Sequence, residues 1–401
     1  MRTLALLLAG ATAGFAAAKP LAITGAKVYT SASAAPISHA TVLLRDGRIA
    51  AVGTDVKIPY DAEVIRCSSC TVMAGFWNCH VHFTEPKWEN AAAQPAEKLA
   101  KQLEAMLTHS GFTTVVDTAS DVRNTVALRR RIQSGEIEGP QIFTAGSALY
   151  PPHGIPYYLR DTLPAEVLHY LSQPDTPEEA AALEARNIQM GADILKLFTG
   201  SWVERGKVLP MPEPIAKAAA DVAHQHHQLV FAHPSSFAGT QVAMESGVDV
   251  LAHAPDDTRG IDDAFIQKLV DRHMAMIPTL KLFSDEKEIA DIRRIVRDFH
   301  AKGGQLMFGT DTGFLTDYDM TEEYRQLALT GLTTHDILVM LTENPARRFG
   351  LAAEQGQVAA GMKADLTVLD GDPANDATAF THVRYTIRDG RVIFSRDKKP
   401  E

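Results

Sequence analysis

From Leu21 onward, apolar and polar residues alternate in short runs cut by turns, the two-residue period of half-buried strands. Leu43-Leu44-Arg45-Asp46-Gly47-Arg48-Ile49 carries the Asp-Gly pair of a two-residue hairpin. The pattern returns near the far end, where the strand-like Ala364-Asp365-Leu366-Thr367-Val368-Leu369 precedes Arg388-Asp389-Gly390-Arg391-Val392. Edges left unpaired at both ends would be a liability, so the two segments are expected to join in one small β-sandwich. Between them, strand-like and helix-like segments alternate, the mark of a parallel α/β sheet. Strands are predicted over residues 72–80, 113–117, 141–145, 193–198, 229–233, 248–253, 274–278 and 305–311, with helices such as 97–108, 178–189, 215–226 and 286–302 in the gaps. Eight such units close into a (β/α)8 TIM barrel. The expected division is a leader over 1–18, a sandwich part over 19–72, the barrel over 73–348 and the second sandwich part over 349–401. One insertion, residues 150–176, follows the third strand on the side where active-site loops belong.

Composition narrows the class. The 401 residues are 45% apolar and 22% charged, which is globular and carries no bias toward disorder. A net charge of −10 argues against a nucleic-acid or anionic-membrane partner and says little about the substrate. The first residues read Met1-Arg2, then an apolar run from Leu4 to Phe15, then Ala16-Ala17-Ala18. That layout predicts a secretory leader cleaved near Ala18 and a secreted or periplasmic mature chain, the run being too short to span a bilayer. Cys67, Cys70 and Cys79 are too few for a disulfide framework. Cys67 and Cys70 are spaced to pair across a tight turn in an oxidising compartment. Cys79 is expected to be a small buried residue facing the outer layer of the barrel.

Candidate chemistry gathers at predicted strand ends. His80 and His82, two apart on one strand, point the same way and together can hold a metal ion. Any His-x-His arises often by chance, and its place at a strand's C-terminal end gives this one weight. Lys196 lies within the apolar Asp193-Ile194-Leu195-Lys196-Leu197-Phe198. It either snorkels on the helix-covered face or points inward, and Leu195 and Leu197 claim the helix-covered side. Buried, it has a lowered pKa and a neutral amine open to modification. His233 and His253 end the fifth and sixth strands, and Asp311 ends the eighth. Imidazoles with a carboxylate suit zinc or a similar divalent ion. By contrast, His224, His226, His227 and His273 precede strands and belong to the opposite face, and His39, His300, His335 and His382 lie in flanking elements. His153, in the insertion, is a candidate substrate contact, as are Tyr157, Tyr158, Arg160 and Trp202 near strand ends.

With His-x-His on strand one, lysine on strand four, histidines on strands five and six and aspartate on strand eight, the chain resembles the amidohydrolase superfamily. Within it the chain is similar to the imidazolonepropionase-like and prolidase-like branch, and Gly361-Met362-Lys363-Ala364-Asp365-Leu366 in the end domain adds to the likeness. The resemblance implies that Lys196 is carboxylated to a carbamate bridging two divalent metals, zinc the expected one. One metal is also held by His80, His82 and Asp311, the other by His233 and His253. It implies that a metal-activated hydroxide attacks a carbonyl, with Asp311 as general base passing the proton to the leaving nitrogen. Where dipeptide-cleaving members often carry Ala-His-Ala-Tyr after strand five, this chain has Ala232-His233-Pro234-Ser235, and Ala254 stands where glycine is usual.

The expected activity is therefore hydrolysis of an amide-type C–N bond in a small molecule such as an N-acyl amino acid or a dipeptide. Two alternatives stay open: a single-metal cyclic amidase or deaminase with Lys196 as a bystander, and a non-catalytic barrel scaffold. Oligomeric state, a homo-oligomer included, is open as well.

Overall fold

Alternation of strand and helix governs the middle of the chain. The structure, a computed structural model, describes residues 19–397. The expected leader over 1–18 and its cleavage near Ala18 lie outside the described residues. Eight parallel strands follow in order: β1 (Phe76–Val81), β2 (Phe112–Asp117), β3 (Gln141–Thr144), β4 (Ile194–Phe198), β5 (Leu229–His233), β6 (Val250–Leu251), β7 (Ala275–Met276) and β8 (Gln305–Leu306). They form one sheet of three, β1-β2-β3, and one of five, β4 to β8 in sequence order. Backbone hydrogen bonds continue past both sheet edges. Asp193 N donates to Thr144 O at 2.7 Å and Leu149 N to Lys196 O at 3.0 Å on one side; Cys79 N donates to Phe308 O at 2.7 Å and His82 N to Thr312 O at 2.8 Å on the other. The arrangement is TIM-barrel-like, in two sheets where a single one was expected.

The first, second and fourth strands are buried along their whole length because both of their faces are covered. Trp77, Val116, Ile194, Phe231, Val250, Ala275 and Met307 pack together on the inner side. Outside, helices lay apolar stripes on the strands. Helix Ile289–Ala301 buries Ile292, Ile295, Val296 and Phe299, the three- and four-residue spacing of one helical face. Helix Pro177–Met190 starts on a Thr176 side chain that accepts from Glu179 N, and it stops at Gly191.

Two expectations need correction. The run 72–80 is two strands, Cys70–Ala74 and β1, broken at Gly75. There Gly75 N donates to Asp365 O at 2.8 Å, and an added Cβ would sit 2.2 Å from Thr113 Oγ1, so only glycine passes. Cys79 does not face the outer layer; it packs inward with Trp77. Strict alternation would then turn His80 outward, but the β1–β2 ladder is irregular between Asn78 and Val81, and that shift returns His80 to the inner side.

The two ends of the chain do join. Strands Leu21–Val28, Ile37–Arg45, Arg48–Gly53, Glu63–Arg66 and Cys70–Ala74 form one eight-stranded sheet with Leu366–Asp370, Val383–Arg388 and Arg391–Ser395. The two Asp-Gly hairpins form as expected, Asp46 and Asp389 both at positive φ. Cys67 and Cys70 are joined by a disulfide, their Cα atoms 5.3 Å apart. Among the described residues no helix is long and apolar enough to cross a membrane. The fully buried Thr367 ties this sheet to the barrel, its hydroxyl donating to Gly111 O at 2.7 Å and accepting from Phe76 N at 3.1 Å. Replacing Thr367 by Val keeps the shape and removes both bonds. Urea unfolding should show a loss of about 1–3 kcal/mol; an unchanged midpoint would mean that the hydroxyl does not tie the two units together.

Candidate metal centre

Polar side chains are buried where β1, β4, β5, β6 and β8 end. His80, Lys196, His233, His253 and Asp311 are all less than a tenth exposed, and His82 lies beside them. Ring centroids step from His82 to His80 over 5.2 Å, from His80 to His253 over 4.4 Å and from His253 to His233 over 4.5 Å. Phe198 stacks on His233 at 4.7 Å, and its ring lies 5.6 Å from Lys196 Nζ. Asp311 is held at φ +58 by its own N–H on His80 O, 2.9 Å away. A non-glycine residue in that conformation is strained, which is common where a side chain must be aimed. Gly309 lets the chain after β8 slip past β1: a Cβ there would meet Ile277 Cγ2 at 2.4 Å and His80 Cβ at 2.9 Å.

Three imidazoles are oriented from behind. His80 Nδ1 donates to Ala252 O at 2.6 Å and His82 Nδ1 to Ala119 O at 2.8 Å. The Thr279 hydroxyl donates to Pro278 O, so it accepts from His253 Nδ1 at 2.7 Å. With the proton on Nδ1, each ring presents the bare lone pair of Nε2 to the centre. His80 Nε2 and His82 Nε2 then face Asp311 Oδ1 at 3.2 and 2.9 Å, acceptor against acceptor. Among the described residues His80 Nε2 and Asp311 Oδ1 are buried with no hydrogen-bond partner. Such a contact is repulsive unless a cation or a proton lies between. One donor atom each from His80, His253 and Asp311 fall within 4.8 Å of one another. The residues therefore fit a divalent cation.

Burial sets the protonation states. It pushes His80 down to about 4, with Lys196 adding to the effect, and holds His233 and His253 well below the usual histidine value. Burial also lowers His82, but Asp311 outweighs it and the net shift is upward. For Asp311, burial pushes up while His80 and His82 hold it well below the carboxylate range. Lys196 is brought down to about 7 by burial, against the pull of Asp311 and Asp117. An amine at that value is largely neutral just above neutrality.

The expected substrate contacts are spread more widely. Tyr158 is half-buried, feels the charges of both Asp311 and Asp256, and packs its ring 5.8 Å from Phe314. Trp202 donates its indole N–H to Asp256 at 2.7 Å. Tyr157 lies outside Tyr158, with Arg205 over its ring. Arg160 is exposed and turned onto Val203 O, and His153 is exposed at φ +55 in the turn before Gly154. His224, set aside as remote, pairs with Asp249 at 3.0 Å. Three residues were missed: Asp117, fully buried and accepting from Ser120 and Thr144; Asp256; and Thr279. Asp117 ends an apolar strand as His233 does, and that was its signal.

The amidohydrolase family profile matches residues 71–393. The chain belongs to the amidohydrolase family. As an amidohydrolase it is a hydrolase acting on carbon–nitrogen bonds, and divalent metals are the family's general cofactor. It is 22% identical to a dihydroorotase of Clostridium acetobutylicum over 88% of this chain and 94% of that one. Among solved structures it is similar to a Xaa-Pro dipeptidase with methionine bound in the active site, at 21% identity and a TM-score of 0.80 over 93% of this chain and 99% of that one. It is also similar to molinate hydrolase, at 19% identity and a TM-score of 0.79 over 94% and 95% of the two chains. These structural likenesses carry the fold.

Thr279→Val removes the acceptor of His253 Nδ1 at constant shape. Competition against a chelating dye should show zinc held about 10–100-fold more weakly; unchanged affinity would remove Thr279 from any orienting role.

Proposed function

We propose that this amidohydrolase cleaves an amide-type C–N bond in a small molecule, such as an N-acyl amino acid or a dipeptide, with a pair of zinc ions held by His80, His82, Lys196, His233, His253 and Asp311. The observation that carries the reading is the meeting of bare imidazole nitrogens with Asp311 Oδ1 around a buried lysine. The dipeptidase among its structural neighbours supports the substrate class. In this reading residues 73–348 close as a (β/α)8 barrel, and the terminal segments, 19–72 and 349–401, fold as the small sandwich. The leader read over 1–18 and the Cys67–Cys70 disulfide support a secreted or periplasmic location.

Lys196 is the residue to carry the carboxyl group: its neutral amine adds to carbon dioxide, forms an N–C bond and loses a proton, and the resulting carbamate gives the centre a further anion. Divalent ions bound by these residues would supply Lewis acidity toward a carbonyl and lower the pKa of water. Asp311, fixed between His80 and His82, accepts the proton of the attacking water and delivers it to the leaving nitrogen. Phe198 stacks on His233 and lies beside Lys196, an apolar cover that strengthens the charge interactions next to it. A single-metal cyclic amidase or deaminase is the second reading, favoured by the tight grouping of His80, His253 and Asp311 alone.

The zinc-loaded protein, screened against dipeptides, N-acyl amino acids, lactams and aryl amides, should release an amine from one class, and silence on all four would sink the reading. Elemental analysis should find two zinc ions per chain, reduced in Lys196→Ala; an undiminished pair would defeat the carbamate. Asp311→Asn should keep its metal and lose about 10²–10⁴-fold in kcat, and a near-normal rate would take the base role away from Asp311.

A further inference from the structure

Beside the centre stands a carboxyl group that the proposed chemistry leaves unused. Asp256 follows His253 by three residues, in the loop after β6. Trp202, from the segment after β4, donates its indole N–H to Asp256 Oδ2 at 2.7 Å. The adjacent Asp257 ties the same loop to the one after β5 through its N–H on Ser235 O, 2.8 Å away. Tyr158, from the insertion after β3, feels both Asp256 and Asp311. Loops after four strands thus bring Asp256 to the end of the barrel that carries the metal-fitting residues. Its side chain is still open in part to solvent.

Among the described residues no cation pairs with this carboxylate. The charges acting most on Asp256 are those of Asp257 and Glu286, both negative, and Asp257 is matched by its own Arg259 at 2.6 Å. The arginines of the insertion side are engaged elsewhere, Arg160 on Val203 O and Arg205 over the Tyr157 ring. Burial pushes the Asp256 carboxyl up to about 7, while the indole N–H pulls it back. A carboxylate fixed on one oxygen by an indole, beside an aromatic wall and opposite no cation, is half of an ion pair. An ammonium group completes it, and the same negative surroundings repel a carboxylate.

We propose that Asp256, clamped by Trp202, is a specificity residue that receives a protonated amino group of the substrate, so that the amide cleaved belongs to a cationic, amine-bearing molecule. This deepens the amide-hydrolase reading above and rests on it.

The test uses the zinc-loaded full chain and three anilides of matched length. They are 4-aminobutyranilide, which ends in an ammonium, pentananilide, which ends in a methyl, and glutaranilic acid, which ends in a carboxylate. Binding is read by calorimetry and cleavage by release of aniline. Wild-type protein should bind the ammonium anilide at least about ten-fold more tightly than pentananilide, and Asp256→Asn should lower that ratio about 10–100-fold. Trp202→Phe keeps a ring and drops the N–H, and it should lower the ratio by less, which covers the case in which Asp256→Asn fails to fold. Equal affinity for the ammonium and methyl anilides, tighter binding of glutaranilic acid, or a ratio untouched by both substitutions would overturn the proposal. The ammonium preference without any aniline released would leave the proposal standing and count against amide hydrolysis instead.

Discussion

An uncompensated charge cannot be left in a dry interior, and the centre of this protein is organised around that constraint. Lys196 is 1% exposed within an apolar strand, and Asp311 is 4% exposed against two imidazoles whose free nitrogens are lone pairs. Removing either charge from water costs several kcal/mol. The surroundings answer by depressing Lys196 toward neutrality and by setting donor atoms where a divalent ion would lie between them.

The same hydrogen bonds that orient the imidazoles also knit the barrel. His80 is held by a carbonyl just past β6, His82 by one past β2, and His253 by a hydroxyl past β7, so each ring is fixed by a neighbouring element rather than by its own strand. Asp311 donates its N–H back to His80 O and ties the segment after β8 to β1. Site geometry and barrel geometry are therefore one set of constraints, and the strained φ of Asp311 and Thr279 is carried by the whole ring.

Much of this was legible in the sequence. Alternation of apolar and polar positions revealed the strand and helix order, and the Asp-Gly pairs marked both hairpins. Histidine, lysine and aspartate at strand ends pointed to side chains that the fold brings together. What escaped lay in departures from regularity. Two-residue alternation put Cys79 outside because it has no means of registering the irregular ladder between Asn78 and Val81. The break at Gly75 follows from a contact with Thr113, far along the chain. Ladders β6, β7 and β8 are only two residues long, shorter than their apolar runs, although single backbone bonds continue past them, such as Ala252 N to Ala232 O and Ile277 N to Leu251 O. Asp117 and Asp256 were passed over because neither belongs to a spaced motif; Asp117 accepts from Ser120 and from Thr144 at the end of β3, and Asp256 from Trp202 after β4.

The terminal sheet sets an order on assembly. Strand Cys70–Ala74 is made almost three hundred residues before its antiparallel partner Leu366–Asp370. Until that partner arrives, the early strands present an open edge and Val72 lacks its neighbour Val368. Contacts this distant in sequence form slowly. The strands between Leu21 and Ala74 must therefore wait, shielded or loosely collapsed, for Leu366–Asp370 to close them.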